Sequence, residues 1–187
     1  MKLKQLALIF LAICFAAINQ GQAIEYKEPV ILQKEVNAGS LPKISERLPK
    51  DPKVIAIGSI GKYGGKLKSF VPGPTAESPE TDWLRSNYLA EYSYDLKTIE
   101  PEIAKSWNLS DDNKVLRVKL REGMKWSDGE ELTTEDVEFY YKGFLLNKSL
   151  NSEVNKKLKP GGKVVNIKII DKYTFEYEFA VPYPIII

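Results

Sequence analysis

The sequence predicts a mixed α/β (α+β) chain, and three stretches carry that prediction. Leu116, Val118 and Leu120 alternate with Arg117 and Lys119, the pattern of a half-buried strand. Val137, Tyr140, Tyr141, Phe144 and Leu145 recur at helical spacing and predict one continuous apolar stripe. Val165, Ile167 and Ile169, then Tyr173, Phe175, Tyr177 and Phe179, alternate with polar residues on either side of Asp171-Lys172, predicting a hairpin that turns there.

The chain opens on an export signal. Lys2 and Lys4 precede an unbroken apolar run from Leu6 to Ile18, and Gly21-Gln22-Ala23 offers small residues on either side of a cleavage point after Ala23. A run of about 13 apolar residues falls short of the roughly 20 that span a bilayer. Leu11-Ala12-Ile13-Cys14 resembles a lipobox, but Ile13 stands where a small residue is wanted, so lipid anchoring through Cys14 is the lesser expectation. Beyond Ala23 the chain has no cysteine and therefore no disulfide. Its 27 basic residues become 25, balancing 25 acidic ones. A neutral chain lacks the clustered Lys and Arg that phosphates require, so a nucleic-acid partner is not expected. No histidine occurs, which excludes Ser-His-Asp catalysis and zinc sites built on His or Cys; neither a metal nor a cofactor is expected.

Residues 25–39 predict a short helix. Pro29 suits its first turn, Leu32 and Val36 share a face, and Gly39 ends it in a left-handed conformation. Leu41 to Pro52 is a linker punctuated by Pro42, Pro49 and Pro52. A first strand is expected over Lys66–Val71, ended by Pro72-Gly73-Pro74. Gly61-Lys62 echoes a phosphate-binding loop, yet Gly58 stands three residues before Gly61 where five are needed, and Tyr63 replaces Ser or Thr. A glycine-rich turn is the better reading.

Residues 83–107 predict helix or helical turns with a loop, from Trp83, Leu84, Tyr88 and Leu89, with Glu100-Pro101 interrupting before Ile103, Ala104 and Trp107. Asp111-Asp112-Asn113 and Ser127-Asp128-Gly129 are turns. Thr133 is placed to cap a helix starting at Thr134, with Glu135 and Asp136 in its first turn. The aromatic alternation of 173–179 suits either a stacking platform for sugars or bases, or a sheet face packed on the helix. The helix stripe needs such a partner and favours the packed face.

Ile103-Ala104-Lys105-Ser106-Trp107, Leu116 to Leu120, Arg121-Glu122-Gly123-Met124-Lys125-Trp126-Ser127-Asp128-Gly129 and Leu132-Thr133-Thr134-Glu135-Asp136-Val137 together resemble the family 5 (oligopeptide-binding) extracellular solute-binding proteins in order and spacing. Val181-Pro182-Tyr183-Pro184 resembles that family's next segment. Upstream, Leu41-Pro42-Lys43, Glu46-Arg47-Leu48-Pro49 and Gly61 to Gly65 are similar to the leader of one of its branches.

The resemblance implies a periplasmic-binding-protein type II-like fold, a two-lobed receptor with a smaller extra domain. It implies a monomer in the periplasm that binds a small solute, an oligopeptide by this likeness, and docks on an ABC permease. The chain then divides into a signal peptide (1–23), an N-terminal helix and Pro-rich linker (24–60), the start of the first lobe (61–94) and the smaller mixed α/β domain (95–187). Because Val181 to Ile187 stops inside an apolar run, these are expected to form a fragment of the receptor. The loop around Glu80 and Thr81 is the stretch expected to face the cleft. Two other classes compete: a secreted hydrolase using paired carboxylates, Asp111 with Asp112 or Glu130 with Glu131, and a surface adhesion module presenting the aromatic face.

Overall fold

The computed structural model describes residues 26–55, 58, 61, 62, 64–66, 68 and 87–184. The signal segment with Cys14 and Ala23, most of the expected first strand and the Glu80–Thr81 loop lie outside the described residues.

The N-terminal helix forms as a 3-10 turn at Val30–Leu32 running into α1, Gln33–Asn37. Gly39 takes φ 74°, which brings the Gly39 amide to the Val36 carbonyl and the Ser40 amide to the Glu35 carbonyl. This pair of bonds is the Schellman closure that a left-handed glycine allows. The linker contains one helical turn that its prolines did not announce, α2 at Ile44–Arg47. Proline blocks strand pairing without blocking an isolated turn, and Glu28 holds this one. The Glu28 carboxylate accepts the Ile44 amide at 3.1 Å and pairs with Arg47.

From 87 to 107, within the stretch expected to be helical, the described residues form strands and a turn instead. β1 (Ala90–Tyr92) and β2 (Ile99–Pro101) pair as an antiparallel hairpin, and β3 runs from Ala104 to Leu109. Two causes hid this. In the 93–98 turn, Ser93 Oγ donates to Asp95 at 2.8 Å and accepts the Thr98 amide at 3.0 Å, local bonds that compete with a helix. In β3, Ala104 pairs with Leu120 but Ser106 with Lys119, so Lys105 is an extra residue in a bulge. The bulge separates the inward Ala104 and Trp107 by three positions, imitating helical spacing.

β4 (Val115–Leu120), β5 (Asn166–Asp171) and β6 (Thr174–Glu178) complete an antiparallel four-stranded sheet in the order β3-β4-β6-β5. Asp171 pairs with Thr174, so the two-residue turn is Lys172-Tyr173, one position later than expected, and Tyr173 lies in the turn rather than in the strand. One sheet face carries Ala104, Leu116, Val118, Leu120 and Phe175, all buried, with Val165 and Phe179 joining the same cluster. Phe175 meets Tyr177 edge-on at 5.2 Å, so the aromatic alternation is core packing. Each such side chain contributes roughly 1.5–3 kcal/mol through burial. The other face is polar, and Arg117 donates across strands to Glu176 at 2.8 Å.

α3 begins at Thr134 and is α-helical to Phe139. Thr133 caps it: its hydroxyl accepts the Glu135 amide at 3.2 Å, and Asp136 reaches back to the Thr133 amide at 2.7 Å. The start is tied to the sheet through the hairpin turn, where Thr134 Oγ1 donates to the Asp171 carbonyl at 2.7 Å. From Tyr140 to Leu145 the helix widens to i→i+5 bonding. The predicted stripe therefore splits: Val137 and Tyr141 are half-buried and Leu145 is buried, while Tyr140 and Phe144 are largely exposed and stack on each other at 5.6 Å. The wider turn alters the angular step between residues, so positions three and four apart no longer stay on one face.

Candidate functional site

Two concavities flank the sheet among the described residues. The first, about 390 Å³, lies between the β1–β2 hairpin and the apolar sheet face and is lined by Tyr88, Leu89, Tyr92, Ile99, Trp107 and Tyr177 among others. Its lining is mostly aromatic and aliphatic, with Glu91 as the charged member. Burial, with the nearby Tyr140 adding to it, pushes the Tyr177 phenol up to about 12, so this wall stays neutral at physiological pH.

The second concavity, about 710 Å³, lies where the N-terminal segment meets the sheet module and carries Arg47, Lys53, Glu102, Arg121 and Lys125. These cations are occupied in holding the segment. Arg121 donates to the Glu102 carbonyl at 2.7 Å and to the Asp51 carbonyl at 2.8 Å. Lys125 donates to the Glu46 carbonyl at 2.8 Å, and Lys53 pairs with Glu91 and Glu102. Asp51 meets Lys105 at 2.8 Å, and that lysine holds its carboxyl below the usual range. No residue of 26–55 belongs to the apolar core cluster, and these polar contacts join the segment to the sheet module alongside Pro49 and Pro52.

One carboxylate of each pair considered for hydrolysis is spent on local structure. Asp112 accepts Ser110 Oγ at 2.7 Å and the Lys114 amide at 3.1 Å, an arrangement that closes the turn after β3. Glu131 accepts Lys172 Nζ at 2.6 Å and the Tyr173 hydroxyl at 2.5 Å. None of Asp111, Asp112, Glu130 and Glu131 lines either concavity. Glycoside hydrolysis needs two carboxyl groups facing each other across a bound substrate.

The Glu131–Lys172 pair gives a pH prediction. Lys172 and then Tyr173 lower the Glu131 pKa below its ordinary 4.5, and Glu131 raises that of Lys172 above 10.5. A depressed carboxylate contributes stability above its unfolded value and loses it as pH falls through its folded value. A raised lysine contributes below 10.5 and loses its share as pH rises through the folded value. Glu131→Gln is expected to lower Tm at neutral pH, with the gap to the wild type closing on acidification below the ordinary carboxylate range. A gap constant with pH contradicts the pairing.

The central motif does structural work. The Trp126 indole N–H donates to Asp136 Oδ1 at 3.2 Å, and the other oxygen of Asp136 takes the Thr133 amide. Asp128 accepts the Glu130 amide at 3.0 Å, and Gly129 sits at φ 96°, a conformation that suits glycine. Trp126 is half-exposed, so it acts here as a donor as much as a source of buried surface. The run from Lys125 to Asp136 thus builds one hydrogen-bonded turn and one capped helix.

The sequence profile described as bacterial extracellular solute-binding proteins, family 5, matches residues 98–187, which include that whole run. The chain belongs to this family. It is 32% identical over 181 residues to the periplasmic alpha-galactoside-binding protein of Rhizobium meliloti strain 1021, a match covering 86% of the chain and 26% of that protein. Among solved structures it superposes on the oligopeptide-binding protein OppA with a TM-score of 0.75 at 28% identity, over 90% of the chain and 26% of OppA. It also superposes on the periplasmic binding protein MelB of Agrobacterium fabrum C58, solved with stachyose, with a TM-score of 0.65 at 28% identity, over 87% of the chain and 29% of that protein. The chain therefore spans about a quarter of the length of this curated relative.

Of the two residues expected at a ligand cleft, Glu80 and Thr81, neither lies among the described residues. The β1–β2 hairpin, which lines the first concavity, was missed in the sequence; the Ser93-x-Asp95 turn was its available signal.

Proposed function

We propose that this chain supplies about a quarter of an extracytoplasmic solute-binding protein that hands a small solute to an ABC permease. The observation that supports it is the superposition of nine-tenths of the chain on OppA at a TM-score of 0.75, with the family's turn-and-cap run at its centre. In this reading the receptor is a two-lobed, monomeric, non-enzymatic binding protein. Residues 61–94 begin its first lobe and 95–187 form most of its smaller domain. Export follows from cleavage after Ala23, so the mature protein begins at Ile24.

The solute we assign is an oligosaccharide of the α-galactoside type. The match to the alpha-galactoside-binding relative runs over 181 residues, whereas that to the dipeptide-binding protein DppE of Bacillus subtilis runs over 46. Stachyose, the sugar held by MelB, is itself an α-galactoside. The superposition on OppA favours the oligopeptide that the sequence resemblance implies, which stands as the second reading. A thermal-shift screen of the natural gene product against melibiose, raffinose, stachyose and di- to pentapeptides separates the two, because a ligand of the folded state raises Tm by mass action. A shift with the sugars alone is expected. A shift with peptides alone overturns the sugar assignment, and a flat response to every compound removes both.

A further inference from the structure

We infer that the stretch from Phe139 to Lys163 is a membrane-surface contact that seats the protein on anionic phospholipid. Charge is the first observation. Of the 25 basic and 25 acidic residues beyond Ala23, six lysines and only one glutamate fall within residues 142–163. That stretch is net positive by five, and the rest of the chain beyond Ala23 is net negative by five. Lys148, Lys156, Lys157 and Lys163 are exposed, and none of them pairs with a carboxylate among the described residues. Such asymmetry in an otherwise neutral chain marks a surface for an anionic partner.

Exposed apolar side chains in the same stretch decide what kind of partner. Phe139 is 77% exposed, Leu150 65% and Phe144 43%, respectively just before, after and on the widened turn of α3. A nucleic acid would meet the lysines and stack a base on an exposed ring, but it offers nothing to Leu150. A lipid headgroup layer has use for both: the rings and the leucine enter the boundary with the acyl chains while the lysines meet phosphates. The stretch is also held as a unit. Tyr141 Oη donates to Asn166 at 3.3 Å, Asn151 Nδ2 to the Leu145 carbonyl at 3.1 Å, and Val165 N–H to the Leu158 carbonyl at 2.8 Å. Its basic and apolar groups therefore face outward from a loop returned to the sheet. Among the described residues no helix is long and apolar enough to cross a membrane, so the contact lies on the surface rather than through it.

The test is co-sedimentation of the natural gene product with vesicles of phosphatidylcholine, with and without phosphatidylglycerol. Binding is expected only with the anionic lipid, weakening as salt rises. Each lysine near an anionic surface is worth about fivefold in affinity, so Lys156→Gln with Lys157→Gln should weaken binding about 30-fold. Phe139→Ser with Leu150→Ser should weaken it independently, while Lys34→Gln with Lys114→Gln, elsewhere on the surface, leaves it unchanged. Equal binding to both vesicle types, no binding at low salt, or indifference to either double substitution in the stretch overturns the inference. Thermal shift with the solute is followed on the same variants. It is expected to stay unchanged, so failure of the vesicle contact is read separately from failure of the solute assignment.

Discussion

Phe175→Ala is expected to lower the stability of the chain by about 3–5 kcal/mol, the range for deleting a buried aromatic ring. The ring is 0% exposed, its residue pairs with Val118 on one side and Ile169 on the other, and it packs edge-on against Tyr177. A central strand has no solvent into which the neighbours can relax, so the cavity persists. Urea denaturation followed by circular dichroism measures the effect. Phe139→Ala, on an exposed ring, should stay within about 0.5 kcal/mol. A loss below about 1 kcal/mol at Phe175 would contradict its place at the centre of the core.

Gly161→Ala should cost about 2–4 kcal/mol through two separate causes. Gly161 holds φ 68°, where a Cβ costs roughly 1–2 kcal/mol, and that Cβ would stand 2.8 Å from a methyl of Val181. Pushing the valine aside adds overpacking strain of about 1–3 kcal/mol, at the low end because Val181 is partly exposed. Gly162→Ala separates the causes, since its φ is 79° but nothing lies within 4 Å. It should show the backbone cost alone. Adding Val181→Ala to Gly161→Ala should recover part of the difference. Equal losses at the two glycines, with no recovery, would mean that 160–162 and 181 are not in contact.

What was legible in the sequence follows from how local its cause is. β4 alternates cleanly because it carries no inserted residue of its own, Leu116 and Val118 pairing on both sides and Leu120 with Ala104. The start of α3 was legible because a cap needs only Thr133 to Asp136. β3 was not, because one inserted residue at Lys105 shifts the inward phase, and the pairing that fixes it comes from Leu120, more than a dozen positions away. The split of the α3 stripe depends on an i→i+5 turn that side-chain spacing does not encode. The hydrolase carboxylates form adjacent pairs in the sequence, and only the partners at Ser110, Lys172 and Tyr173 show one of each pair, Asp112 and Glu131, committed to structure. The family was legible because its run codes for Trp126, Asp128, Gly129, Thr133 and Asp136 acting together. The solute was not, because framework residues leave the ligand contacts free to vary.

Calorimetric titration of the natural gene product with stachyose, followed by chromatography of the recovered sugar, tests the solute-binding claim most directly. Saturable heat with the sugar returned intact is the predicted result. Absence of binding to stachyose and to every peptide tried, or recovery of the sugar as cleavage products, would contradict it.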